Sequence, residues 1–184
     1  VGIAREVCAI YGVEMRKINL NYSINVYDKD TVHDYVDVEV KTDNCKRYMM
    51  AVVKDLKIER SPLWMRARLN AVGIKPINTM VDITNYVLIE MGQPLHAFDQ
   101  AHISGNKIVV RQAKEGEKIA ALNHNSYILD ESEMVIANEN DPMVIAGVIG
   151  GTNSCINDDT KICALESAIF DLKSIRITSR KIGV

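Results

Sequence analysis

Apolar positions along this chain change period several times, and each change marks an element. Over residues 1–14, Ile3, Val7 and Ile10 recur on one helical face, and Gly12 supplies a stop. The stretch that follows to about Asp34 is polar and mixed, with one candidate strand near Tyr22–Val26. Tyr35–Lys41 then alternates, with Val36, Val38 and Val40 set against Asp37 and Glu39, which predicts a half-buried strand. A turn at Asp43–Lys46 leads into a second extended segment, Tyr48–Ile58.

Helical spacing returns at Ser61–Pro62, with Ser61 as N-cap and Pro62 in the first turn. The predicted core stripe is Met65, Leu69 and Val72, Trp64 reads as a core anchor, and Gly73 ends the helix. Asn78 caps another helix that runs to Met91 and stops at Gly92. Its Met80, Ile83, Val87 and Met91 lie near one face, and the other faces are mostly apolar too. Such a helix is expected to be buried nearly all round, with a strand over Val81–Thr84 as the alternative. Gln93–Asp99, which contains Pro94, is expected to be a loop.

From residue 107 the pattern is one of short strands: Lys107–Gln112, Lys118–Leu122, Ser126–Leu129, Met134–Ala137 and Met143–Val148. Asn123–Asn125 is a hairpin turn. Lys161–Ser167 is a further strand, and Asp171–Ile182 a final helix. Helices are grouped rather than alternating with strands, so the fold class is α+β and not a doubly wound sheet.

Composition narrows the class without altering that layout. With 184 residues, 47% apolar and 25% charged, the chain can bury roughly 70% of its unfolded surface and needs no metal or disulfide to fold. Disorder, collagen and coiled coil are excluded, and no apolar run approaches the roughly 18 residues of a membrane span. The net charge of −2 excludes a general nucleic-acid glue, so any RNA contact must come from a local patch. Cys8, Cys45, Cys155 and Cys163 show no CxxC and no zinc spacing. They read as small buried thiols in a reducing compartment. A chain that starts at Val1 and stops at Val184, just after Gly183, reads as an excised piece of a larger protein.

No GxGxxG, P-loop, HExxH or GxSxG occurs, which removes the commonest dinucleotide, nucleotide, zinc-peptidase and serine-hydrolase chemistries. Three polar features in apolar settings remain. His96, with Asp99 three residues later, can be oriented by that carboxylate to poise a water, or can simply cap a carbonyl. The glycines of Ala146–Thr152 can admit a ligand to the backbone, or form a bulge. Glu166, flanked by Ala164, Leu165 and Ala168, is either a solvent-facing residue or an acceptor aimed at a ligand hydroxyl. Asp158 and Asp159 read as turn residues. Lys173, Arg176, Arg180 and Lys181 make the last helix basic on one side, as a solvated face or a phosphate contact. Asp82 and Asn85 read as structural hydrogen-bonders, and Thr84 and Asn85 as possible pocket residues.

The runs Ser61–Leu69, Gly73–Asn78, Val81–Tyr86, Gly92–Asp99, Ala146–Gly151 and Leu165–Ala168 occur in one order. Together they resemble the beta subunit of bacterial phenylalanyl-tRNA synthetase. Cys45–Tyr48 resembles the start of its central domain. The resemblance covers roughly residues 43–184, with a helical first part at 61–100 and a β-rich second part at 107–170, while residues 1–42 resemble the preceding linker. It implies mixed or antiparallel sheets in a sandwich-like arrangement with helices packed outside.

The family's central domain edits, so the resemblance implies hydrolysis of tyrosine wrongly attached to tRNA(Phe). Glu166 matches the residue that recognises the tyrosine phenol, and His96 the histidine near the ester. Gly147 and Gly150 match the amino-acid pocket, and Thr84, Asn85, Pro94 and Lys75 the substrate surroundings. Lys75 stands where relatives often carry arginine, and the family's next editing segment would follow Val184. The implied partners are the 3′ end of tRNA(Phe) and the alpha subunit of a cytoplasmic α2β2 synthetase. No cofactor is expected on this piece, because ATP and magnesium belong to the parent's aminoacylation site. A scaffold module binding tRNA or neighbouring domains is the alternative, and a pocket that only binds an amino acid is a further one.

Overall fold

Most of the helix punctuation in the sequence operates as expected. In the computed structural model, which describes residues 1–19 and 29–184, helix α1 (Gly2–Tyr11) closes on Gly12, left-handed at φ 64°. The candidate strand at Tyr22–Val26 lies outside the described residues. Helix α2 spans Leu63–Ala71. Helix α3 (Thr79–Met91) is capped by the Asn78 side chain, which accepts from the Val81 amide, and ends at Gly92. Helix α4 (Leu172–Ile182) is capped by Asp171, whose carboxylate accepts from the Ser174 amide.

The described strands are β1 (Asp37–Val40), β2 (Cys45–Val53), β3 (His96–Asp99), β4 (Lys107–Gln112), β5 (Glu117–Ala120), β6 (Ser126–Leu129), β7 (Met134–Ala137), β8 (Pro142–Ile145), β9 (Ile149–Gly150) and β10 (Cys163–Phe170). They form a five-stranded sheet in the order β1-β4-β7-β8-β9, a three-stranded sheet β2-β10-β3 and a hairpin β5-β6. Only the β1–β4 pairing is parallel among these ladders. The class is therefore α+β with mixed sheets, as the element pattern predicts.

Layering follows from strand parity. Met134 and Ile136 of β7 pack with Ile108 and Val110 of β4 against Cys45, Phe98 and Ala164 of the three-stranded sheet. Val135 and Ala137 point the other way, onto Ile119 and Leu129 of the hairpin and toward Ile182 of α4. The central sheet is thus covered on both faces, which explains why β7 reads as an unbroken apolar run rather than an alternating one.

Several expectations are corrected. Gln93–Asp99 is not all loop, because His96–Asp99 pairs with β10. Ser61 does not cap α2; Pro62 holds that position and the Ser61 hydroxyl donates to Asp82 instead. Val72 and Trp64 are over half exposed (53% and 51%), so neither anchors the core. Trp64 instead sits edge-on against Tyr86 with Arg68 over its ring. Helix α3 buries only Met80, Asp82 and Thr84; its other apolar residues lie partly at the surface. The stripe of α1 is exposed, with Ile3 at 84% and Ile10 at 77%. Cys45 and Cys163 are the buried thiols, while Cys8 and Cys155 are half-buried. Burial, with a smaller push from Asp99, raises the Cys163 thiol to about 12, leaving it unreactive.

Candidate functional site

The site is built on the three-stranded sheet. Strand β10 lies between β2 and β3, placing Glu166 opposite His96 on one side and Met50 on the other. Residues directly opposite on antiparallel strands project from the same face with Cβ atoms roughly 4.5–5.5 Å apart. A histidine and a carboxylate seventy residues apart in sequence therefore become neighbours.

Sequence alternation left the orientation of Glu166 open, and packing decides it. Glu166 shares its face with Ala164 and Phe170, which belong to the inter-sheet core, and only 6% of its surface is exposed. One carboxylate oxygen, Oε2, accepts a 3.0 Å hydrogen bond from the Tyr48 hydroxyl of β2. No protein donor reaches Oε1 among the described residues. Burial pushes the carboxyl up to about 7, and the Tyr48 bond opposes this only partly. Burial, then the adjacent Glu166 charge, holds the Tyr48 hydroxyl well above its ordinary value.

His96 packs edge-on against Phe98, two residues along the same strand face, with ring centroids 4.5 Å apart. Burial lowers its imidazole to about 4, so it is neutral at pH 7. Asp99 does not orient it. An odd spacing on a strand sends the two side chains to opposite faces, and Asp99 accepts from Thr160 at 2.7 Å, Asn157 at 3.2 Å and the Ala101 amide at 3.1 Å.

Glycines form the facing wall. Gly147 turns the chain at φ 69°, and a Cβ there would lie 2.9 Å from Ile175. At Gly150 a Cβ would stand 2.9 Å from His96 Cε1 and 3.0 Å from Leu122, so the imidazole occupies the space a side chain would need. Gly150→Ala should therefore displace the ring at a cost of about 1–2 kcal/mol. A shifted His96 ring resonance together with a lower urea midpoint is the expected result; an unmoved ring would contradict this account.

Between these walls lies a cleft of about 480 Å³. Pro94, His96, Gly147, Gly150 and Glu166 all line it, with Val144, Val148, Ile149, Phe170 and Ile175 as its apolar walls. An apolar cleft with a few convergent polar groups is the usual form of a small-ligand site. Thr84, Asn85 and Lys75 do not line it. Thr84 is buried on α3 with its hydroxyl donating to the Val81 carbonyl at 2.8 Å, and Lys75 is exposed before that helix. Tyr48 belongs to the Cys45–Tyr48 run at the start of the central domain, and no sequence motif marks it as part of the site. Its signal was a phenol on the inward parity of β2, shared with Met50 and Val52, where a buried hydroxyl needs a partner. No group of three or more His, Cys, Asp or Glu among the described residues is placed to hold a metal.

The paired groups titrate in opposing directions. Glu166 rises from 4.5 to about 7 on folding; the native state then holds the extra proton, and stability falls as pH rises through that window. His96 drops from 6.5 to about 4, and stability falls as pH drops through that range. Between pH 5 and 6.5 each contributes about 2 kcal/mol, with opposite sign. Relative to the parent, Glu166→Gln should gain stability from pH 5 to 6.5, and His96→Asn should lose it. Parallel urea-midpoint profiles for parent and variants would refute the assignment.

The family profile described as "B3/4 domain" matches residues 44–184. Proteins named phenylalanine–tRNA ligase beta subunit are similar over the whole chain: 44% identical in Clostridium tetani, over 23% of that protein, and 45% in Staphylococcus aureus, also over 23%. The chain thus spans about a quarter of the length of these relatives. An N-terminal fragment of the phenylalanyl-tRNA synthetase beta-subunit from Pyrococcus horikoshii superposes with TM-score 0.54 at 16% identity, covering 98% of this chain and 55% of that one. That likeness is one of fold.

Proposed function

The chain belongs to the B3/4 domain family, and from that premise we propose that its cleft hydrolyses the ester of tyrosine wrongly attached to tRNA(Phe). The supporting observation is Glu166: a buried carboxylate lining an apolar cleft, with one oxygen held by Tyr48 and the other without a protein donor among the described residues. A phenol fits that vacancy as donor, and an unsubstituted phenyl ring leaves it unfilled. Tyrosine and phenylalanine differ by that hydroxyl alone. A pocket made for phenylalanine cannot strongly reject an isostere that adds a hydroxyl, whereas a pocket that hydrogen-bonds the hydroxyl can reject the analogue lacking it.

Water attacks the ester carbonyl carbon, the bond to the terminal ribose oxygen breaks, and a proton passes to that oxygen. Products are free tyrosine and uncharged tRNA. With its imidazole near 4, His96 is a weak base at neutral pH, and its role is to position the water or a ribose hydroxyl. The chemistry needs no cofactor on this chain in our reading. The larger protein, by the same reading, pairs with an alpha subunit and charges tRNA(Phe) with phenylalanine.

The test is deacylation of Tyr-tRNA(Phe), run with the full-length beta subunit in its complex and with this chain. His96→Ala should slow hydrolysis by about tenfold or more and leave phenylalanine charging intact. An unchanged deacylation rate would overturn the role of His96, and absence of deacylation by the parent complex would overturn the reading.

A further inference from the structure

The cleft does not end at Gly147. A second groove of about 450 Å³ continues from it, sharing Gly147, Val148, Leu172 and Ile175, and runs along α4 past Arg176 and Ser179. At 100° per residue, Lys173, Arg176 and Arg180 fall within one 60° stripe of α4, spaced over about 10 Å of helix. That stripe lies next to the groove-lining residues Leu172, Arg176 and Ser179. All three cations are exposed, and among the described residues none has an ion pair or a side-chain hydrogen bond. Lys181, on the opposite side of the stripe from the groove, is the cation of this helix that is spent internally, on Asp130 and Glu133.

We propose that Lys173, Arg176 and Arg180 form a phosphate rail along which a single-stranded RNA 3′ end is led into the cleft. The inference rests on the editing reading above and extends it to how the substrate is held. Whole-chain charge of −2 gives no general attraction for RNA, so a chain that takes a nucleic-acid end must gather cations locally. The stripe supplies them at the mouth of the cleft, and its groove offers a continuous path to His96 and Glu166. The ligand is recognised by its backbone; nothing along the stripe selects a base.

The experiment measures binding of a fluorescein-labelled single-stranded RNA ending in CCA to this chain, by anisotropy across a salt series. Folding of each variant is checked by circular dichroism and urea midpoint. The triple variant K173A/R176A/R180A should bind about tenfold more weakly at low salt. Its log–log salt slope should become shallower by about 2, at roughly 0.7 per lost phosphate contact on a single strand. A control, K46A/K118A/K161A, removes the same charge from exposed lysines elsewhere and should leave slope and affinity near parental values. Three results overturn the rail: no binding by the parent at low salt, an unchanged triple variant, or a control that matches the triple variant. The two readings separate by readout: the rail is read by RNA binding and its salt slope, the editing site by the ratio of Tyr-tRNA to Phe-tRNA deacylation. If RNA binding depends on the rail but the parent complex hydrolyses no Tyr-tRNA, the editing reading fails and the rail stands.

Discussion

Glu166→Ala should lower the ratio of Tyr-tRNA to Phe-tRNA hydrolysis by roughly ten- to 150-fold, the kinetic equivalent of a hydrogen bond to a charged group. On the editing reading, the phenol of tyrosine donates to Oε1 of the carboxylate, while Oε2 keeps its bond to Tyr48. On the same reading, phenylalanine leaves Oε1 without that donor. Alanine removes both the reward and the penalty, so the variant should also begin to hydrolyse correctly charged Phe-tRNA. Glu166→Gln, which keeps an acceptor of similar shape but not the charge, should fall between. Since burial brings the carboxyl to about 7, acid and carboxylate coexist at neutral pH, and the ionised form is the stronger acceptor. Discrimination by the parent should therefore rise between pH 6 and 8. His96, at about 4, does not change charge there, so the profile reports Glu166. A ratio that stays at the parental value in Glu166→Ala would move selectivity to cleft shape.

Phe98→Ala should cost about 3–5 kcal/mol, the range for truncating a fully buried aromatic. The Phe98 side chain has 0% exposure and sits in the core between the two larger sheets, where Ile108, Met134, Ile136 and Ala164 leave little freedom to collapse. For a chain of this size the expected drop in Tm is about 6–20 °C. The variant also removes the ring against which His96 rests, so residual activity measured well below Tm should fall further than the fraction unfolded explains. A loss under 1 kcal/mol in urea would mean that Phe98 does not hold the sheets together.

Elements with strong local signals were legible in the sequence. Strands Lys107–Gln112, Ser126–Leu129 and Met134–Ala137 occur at the predicted bounds. Helix α3 starts and stops where Asn78 and Gly92 dictate. What escaped depends on distant partners. Four residues, His96–Asp99, make a strand because β10 lies alongside them, and nothing within Gln93–Asp99 announces it. Trp64 looked like core because it is large and aromatic, yet the surface of α2 settles it against Tyr86 instead. The side to which Glu166 points was undecidable locally, since β10 has apolar residues on both parities. Motif order singled out His96, Gly147, Gly150 and Glu166, and these line one cleft. The same motifs also singled out Lys75, Thr84 and Asn85, which the helical hairpin keeps outside it.

Placing β10 between β2 and β3 has a consequence for how the protein is made. Cys45–Val53 and His96–Asp99 leave the ribosome long before Cys163–Phe170, and neither has its partner until that last strand arrives. Until then these two strands lack their β10 ladder, and among the described residues no other strand pairs with them; such open edges invite pairing with other chains. Contacts this far apart in sequence also close slowly. The cleft therefore cannot form before β10 emerges, and a nascent chain that stops short of about residue 170 has no Glu166 ladder against which His96 can be set.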